Sequence, residues 1–213
     1  MTEKPAILPI DSDTPVLGVL ISGRGSNLHA IIRAIDEGRL AARIGVVISN
    51  RPDARGLDHA RNASIPTAVI EHKRFESRAA FEEALVARLV EAGASVICLA
   101  GFMRILSPFF LERAPGPVLN VHPSLLPAFP GVDAQHQAWT HGVKVAGATV
   151  HLVTPELDAG PIVAQATIAV FDDDTPDSLA ARILVEEHRI YPEAIARVLT
   201  TSWHVDGRRF VCS

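Results

Sequence analysis

The sequence is poor in cysteine, in aromatic residues and in uninterrupted apolar runs. Cysteine occurs twice in 213 residues, at Cys98 and Cys212. Two thiols so far apart exclude a disulfide framework, and a reducing cytoplasm is the default compartment. Histidine is more frequent, with nine copies, yet no H-E-x-x-H or comparable ligand spacing occurs, so no metal site is expected. No apolar run is long enough to span a bilayer. The start, MTEKPAILPIDSDTP, lacks the basic-then-apolar order of a secretory signal. It reads as a flexible extension over residues 1–15, ahead of one domain over 16–213. Lys and Arg number 20 against 24 Asp and Glu, for a net charge of -4. That balance lacks the basic footprint of a nucleic-acid binder. The expected partners are small molecules, with no nucleic acid and no membrane. The chain is expected as a monomer or a homodimer.

What is present alternates. Val16–Ile21, Ile44–Ser49, Thr67–Glu71, Ser95–Ala100 and Val118–Val121 are short apolar segments of strand type. Between them lie helical patterns: Leu28, Ile31, Ile32 and Ile35 on one face before Gly38, then Ala54–Asn62, Ser77–Ala92 and Ser107–Arg113. Strands apolar on both faces and separated by helices predict a parallel sheet covered on both sides. The second half changes rule. Val145–Val153 and Ile162–Val170 have no helix between them, which predicts an antiparallel addition. Ser178–Leu199 reads as a long helix interrupted near Pro192, and Asp206–Gly207 as the turn of a terminal hairpin. The expected class is α/β: a Rossmann-like, mostly parallel sheet with helices on both faces and an antiparallel C-terminal addition.

Three segments carry chemistry. Ser22–Asn27 (SGRGSN) joins the first strand to the first helix. Backbone amides at such a helix start can cradle an anion. The third glycine and the acidic strand end of a dinucleotide fingerprint are missing, and so is a Walker Lys-Ser/Thr. A tight turn with Ser26 as N-cap explains the same residues, and both readings stand. Val118–Gly131 (VLNVHPSLLPAFPG) places Asn120 and His122 on one side of a strand where it leaves the sheet. An Asn amide can donate to an oxyanion and a His can carry a proton at neutral pH. A core histidine beside a turn is the alternative. Ser124 lacks a nucleophile elbow and is assigned to the turn. Thr154–Ile162 (TPELDAGPI) holds Asp158 before a rigid Ala-Gly-Pro bend, where its charge would favour an imidazolium if His122 lay beside it. Gly101–Phe110 (GFMRILSPFF) is either core or an apolar ligand wall.

Taken together, SGRGSNL, AGFMRILSP at Ala100–Pro108, NVHPSLLP at Asn120–Pro127, TPELDAGPI and EEHRIYP at Glu186–Pro192 resemble the folate-dependent formyltransferases. SGRGSNL near the N-terminus is similar to the glycinamide ribonucleotide branch. The likeness runs from about Val16 to Phe210. It implies formyl transfer from 10-formyltetrahydrofolate, a co-substrate, to the amine of 5-phosphoribosylglycinamide in purine synthesis, without a metal. On the same basis Gly25, Ser26 and Asn27 match a substrate-phosphate loop, and Glu187 matches a contact to the substrate ribose. Arg78, Met103, Arg104, Ile105, Leu106, Asn120, Thr154, Pro155, Glu156, Leu157 and Asp158 match folate-site positions. Asn120, His122 and Asp158 match the catalytic trio.

One departure stands out. Many members read L-H-T-H after the loop's Pro-Gly, whereas this chain has Val132–Asp133–Ala134–Gln135, with His136 one place later. Rival readings are a methionyl-tRNA formyltransferase, a formyltetrahydrofolate hydrolase, and a non-catalytic folate or nucleotide binder. The first normally has an added C-terminal domain and the second an N-terminal regulatory domain, and this length leaves room for neither. The complete trio argues against the third.

Overall fold

The computed structural model describes residues 14–213. Residues 1–13, most of the expected N-terminal extension, lie outside the described residues. The strands are β1 (Val16–Ile21), β2 (Arg43–Ser49), β3 (Thr67–Val69), β4 (Val96–Leu99), β5 (Val118–His122), β6 (Val145–Leu152), β7 (Ile162–Ala169), β8 (Trp203–Asp206) and β9 (Arg209–Cys212). The helices are α1 (Ser26–Asp36), α2 (Gly56–Asn62), α3 (Arg78–Glu91), α4 (Pro108–Arg113), α5 (Ala134–Thr140) and α6 (Pro176–Thr200). All nine strands form one sheet in the order β3-β2-β1-β4-β5-β6-β7-β9-β8. The first five run parallel. At β5 the direction reverses: β6 and β7 are antiparallel to their neighbours. The terminal hairpin joins β7 through one parallel pair, Ile162 with Arg209.

Strand alternation sorts the core into two layers. Leu17, Val19 and Ile21 of β1 pack on the side of α1, α2 and α6, with Leu28, Ile31, Leu57, Ile183 and Ile195. Leu20 faces the other way, towards Phe81, Leu85 and Leu89 of α3 and Phe110 of α4. Apolar side chains on both faces leave β1 no solvent side, so the parallel half is legible from its hydrophobicity alone.

Three expectations change in detail, and one helix was not expected. The long helix is continuous through Pro192 rather than interrupted there. Proline forfeits one helical hydrogen bond, but Tyr191, Pro192, Ala194 and Ile195 are all buried, and that packing carries the helix through. Ser26 is the first helical residue, not the cap; Gly25 caps α1 in the left-handed region at φ 75° without a side-chain bond. β3 ends at Val69, and Glu71 instead leads into a 3-10 turn at His72–Arg74. Helix α5 lacks a sequence signal because only Ala134 and Ala138 are buried.

Helix α6 ties the sheet together at its centre. The buried Tyr191 hydroxyl lies 3.0 Å from the Leu99 carbonyl and 3.1 Å from that of Leu119, at neighbouring positions on β4 and β5. Burial also pushes the nearby Cys98 thiol up to about 12, which makes it an inert core residue. Tyr191→Phe removes the shared donor while conserving the ring. It is expected to cost about 1 kcal/mol and lower the melting midpoint by about 3 °C, measured by circular dichroism. An unchanged midpoint would show that the bridge adds nothing.

Candidate active site

The carboxyl ends of β1, β4 and β5 open on the same edge of the sheet, where α/β folds place ligands. Asn120 and His122 lie on β5, two residues apart and on one face. His122 is 5% exposed. Its Nε2 lies 2.9 Å from the Phe129 carbonyl. A carbonyl can only accept, so Nε2 carries a hydrogen and donates it. Its Nδ1 faces Asp158 Oδ2 at 3.5 Å. That oxygen accepts the Gly131 amide at 2.7 Å. The expected trio therefore converges, with Asp158 brought in from the β6–β7 connection.

A fourth residue joins it. Antiparallel pairing sets His151 of β6 directly opposite Asn120. Its Nε2 lies 3.2 Å from Asn120 Nδ2 and 3.6 Å from Asp158 Oδ1. Its Nδ1 donates to the Leu152 carbonyl at 2.9 Å. Asn120 Nδ2 packs against this ring nitrogen and keeps at least one amide hydrogen for another partner. The sequence reading missed His151, because its partner across the strands depends on register. The usable signal was a histidine inside a strand that otherwise carries small apolar residues.

Asp158 sits at φ 50°, in the left-handed region. Burial alone would raise its carboxyl; the His151 ring, the Gly131 amide and the nearby His122 outweigh burial and hold it below its ordinary value. The carboxylate is therefore charged where it meets two imidazoles.

The His122 loop is braced from beneath. Thr149, fully buried, accepts the Leu126 amide at 3.0 Å and Gln165 Nε2 at 2.9 Å and donates to the Ser124 carbonyl at 2.7 Å. That uses one donor and two acceptor sites of a hydroxyl. Gln165 also donates to the Leu126 carbonyl at 2.9 Å, and the Ser124 hydroxyl to that of Ala128 at 2.6 Å. Ser124 shapes the turn, as expected.

The glycine loop lies at the start of α1. A Cβ on Gly25 would come within 2.5 Å of the Gly56 Cα, so the close approach of α1 and α2 requires glycine. Asn27 Nδ2 donates to Glu187 Oε2 at 2.7 Å, across 160 residues. Asn27 Oδ1 is buried without a hydrogen-bond partner among the described residues. Burial raises the Glu187 carboxyl, and the Asn27 bond only partly opposes this. Asn27 and Glu187 are thereby one polar pair, with Gly25 and Ser26 immediately before Asn27 in the chain.

The remaining predicted residues form an apolar rim with an anchored base. Met103 is 73%, Ile105 60% and Leu157 53% exposed, while Leu106 is buried in the core behind them. Arg78 donates to Glu82 at 3.0 Å and to the Ile105 carbonyl at 2.6 Å, which fixes that segment. Arg104 lies over the Phe81 ring, 5.5 Å from its centroid. The Met103 amide donates to Ser22 Oγ at 2.8 Å, linking the rim to the end of β1. Thr154, Pro155 and Glu156 lead from β6 to Leu157 and Asp158, the Thr154 hydroxyl reaching the Glu156 carbonyl at 3.4 Å. Exposed apolar side chains beside a buried polar cluster are the composition of a ligand site. Among the described residues no group of three or more His, Cys, Asp or Glu could hold a metal, and no helix is long and apolar enough to cross a membrane.

A family model described as formyl transferase matches residues 17–195, and the chain belongs to that family. It is 45% identical over 190 residues to the phosphoribosylglycinamide formyltransferase of Escherichia coli, covering 89% of this chain and 87% of that one. The solved glycinamide ribonucleotide transformylase 1 of Symbiobacterium toebii superposes with a TM-score of 0.92 at 47% identity, over 99% of both chains. The phosphoribosylglycinamide formyltransferase of Coxiella burnetii gives 0.89 at 41% identity, over 94% of each. Within the family this chain stands among the phosphoribosylglycinamide formyltransferases, which are transferases of formyl groups.

The depressed Asp158 carboxyl makes its ionised form a source of stability above the ordinary carboxyl range. That contribution is lost as the pH falls through the folded value. The urea midpoint of wild type is expected to exceed that of Asp158→Asn by its full margin at neutral pH. The margin should close below about pH 4. A margin that stays constant into acid would disconnect the charge from stability.

Proposed function

We propose that this enzyme transfers the formyl group of 10-formyltetrahydrofolate to the amine of 5-phosphoribosylglycinamide, a step of purine biosynthesis in the cytoplasm. The observation that carries the reading is the convergence of Asn120, His122, His151 and Asp158 at the end of β5. The chain works as one domain over 16–213, its N-terminal half taking the phosphate and its C-terminal half the folate. Gly25, Ser26 and Asn27 receive the acceptor's phosphate at the start of α1, where free amides and the helix dipole favour an anion. Glu187 meets the ribose hydroxyls. Met103, Ile105 and Leu157 cover the pterin from outside and Leu106 from the core. Arg78 and Arg104 face the donor's carboxylates, and Thr154, Pro155 and Glu156 close the rim.

The chemistry follows from the cluster. The acceptor amine attacks the formyl carbon, and a tetrahedral oxyanion forms. The uncommitted Asn120 amide hydrogen and a protonated His122 stabilise it. Because Nε2 is committed to Phe129, Nδ1 is the ring nitrogen that exchanges a proton. Asp158 holds charge beside that nitrogen and orders a water. The proton leaving the amine passes to the folate nitrogen as the carbon–nitrogen bond breaks. Formylated acceptor and tetrahydrofolate result, without a covalent enzyme intermediate.

The test mixes purified protein with 10-formyltetrahydrofolate, with and without phosphoribosylglycinamide, and follows tetrahydrofolate release. Release is expected only with the acceptor; release without it points to a hydrolase, and none in either mixture defeats the enzyme reading. His122→Ala and Asp158→Ala are each expected to lower kcat by about 100-fold or more, with far smaller changes in acceptor binding. Unchanged turnover in either variant would take that residue out of the mechanism.

A further inference from the structure

Two imidazoles outside this cluster lie against the glycine loop. His29 sits one turn into α1; its amide donates to the Gly25 carbonyl at 2.9 Å. Helical side chains lean back towards the N-terminus, which brings the His29 ring alongside the loop. The start of α2 is tied to the same loop, the Gly56 amide donating to the Gly23 carbonyl at 2.9 Å. One turn into α2, His59 stands so that a Cβ on Gly25 would lie 3.4 Å from its Cδ2. The rings of His29 and His59 stack, with centroids 4.9 Å apart and planes at 22°.

This pair is chemically uncommitted. Neither imidazole has a hydrogen-bond or ion-pair partner among the described residues, and neither do Arg24 in the loop and Arg55 at the start of α2, while three other nearby cations are paired. Arg33 is paired with Glu37, Arg51 with Asp53 and Arg61 with Asp58. The charged groups close by include Arg24 in the loop, Arg55 at the cap of α2, Asp58 beside His59, Arg33 on α1 and His188 on α6, the last near enough to feel the His29 ring. The acid next to His188, Glu187, is turned to Asn27. No carboxylate is left over to serve the two rings. Stacked imidazoles repel one another once both are charged, and a doubly charged anion beside them removes that penalty. The buried Asn27 Oδ1 in the first turn of α1 also lacks a hydrogen-bond partner among the described residues, and as an acceptor it is left for a donor group of the ligand other than its phosphate.

We propose that His29 and His59 are specificity-determining residues, forming the outer wall of the acceptor's phosphate site and selecting the phosphorylated acceptor. The inference rests on the reading of Gly25–Asn27 as the phosphate cradle. It adds two side chains, from two helices, to a site otherwise built from backbone amides. It predicts that recognition of the phosphate resides partly in ring nitrogens that a neutral amide does not replace and a guanidinium does.

Steady-state KM values for phosphoribosylglycinamide and for 10-formyltetrahydrofolate are measured in wild type, His29→Gln/His59→Gln, His59→Arg and Ser26→Asp. Binding of ribose 5-phosphate is measured by calorimetry. The double glutamine variant is expected to raise the acceptor KM and weaken ribose 5-phosphate by about tenfold, with the donor KM unmoved. His59→Arg is expected to stay within about twofold of wild type. A double variant with wild-type acceptor KM and ribose 5-phosphate affinity overturns the inference. So does an equal rise in both KM values, which marks a structural role. Ser26→Asp separates this from the underlying reading. A carboxylate at the first helical position suits the helix dipole, so the fold is retained, yet it repels phosphate. If Ser26→Asp abolishes ribose 5-phosphate binding and the double variant does not, only the histidine wall fails. If Ser26→Asp binds normally, the cradle reading fails with it.

Discussion

One carboxylate draws the site together. Asp158 comes from the β6–β7 connection, and His122 from the end of β5, His151 from β6 and Gly131 from the loop beyond β5 all meet at its two oxygens. Strand pairing and the shared apolar core bring β5 and β6 together, but the loop residues Gly131 and Asp158 are drawn in by polar contacts. Buried charge is tolerated only when paired or hydrogen-bonded, so the carboxylate and its partners specify one another. The reversal of strand direction after β5 makes this possible. A parallel β6 would return by a crossover and place another residue opposite Asn120; the antiparallel strand puts His151 there.

The second polar group depends on a different constraint, the approach of two helix starts. Gly25 and Gly56 let α1 and α2 touch through backbone. Asn27 then reaches α6 through Glu187, while Tyr191, one turn further along α6, contacts the β4 and β5 carbonyls. Helix α6 thus spans from the glycine loop to the strand that carries His122. Both contacts fall within one helical turn, ahead of Pro192, so the glycine loop and the β5 strand are tied to the same rigid stretch of α6.

Much of this was legible in the sequence. The parallel strands announced themselves through apolar residues on both faces, and the change of rule at Val145 marked the antiparallel half. Asn120 and His122 were visible as polar residues at a strand end, and Asp158 as an acid before a rigid bend. Their meeting was not visible, since physics on the sequence alone left a core histidine standing as an alternative; the likeness to a family decided it. His151 stayed hidden because its role arises from register, and register across a strand pair is set by packing rather than by local residue type. Helix α5 stayed hidden because two buried alanines make too weak a stripe. Ser26 stood as one reading of the cap because cap preferences favour serine, while the contact with Gly56 demands a residue without a side chain, and Gly25 takes the place.

The loop after His122 has an uneven anatomy. From Ser124 to Ala128 it is pinned by Thr149 and Gln165. Phe129 and Gly131 are then each held once, by His122 and Asp158. Gly131 is the last residue that the Asp158 cluster grips directly. From Val132 on, the chain is held by α5 instead, the Gln137 side chain donating to the Val132 carbonyl at 2.9 Å, so a change in Val132–Gln135 is one anchor removed from His122.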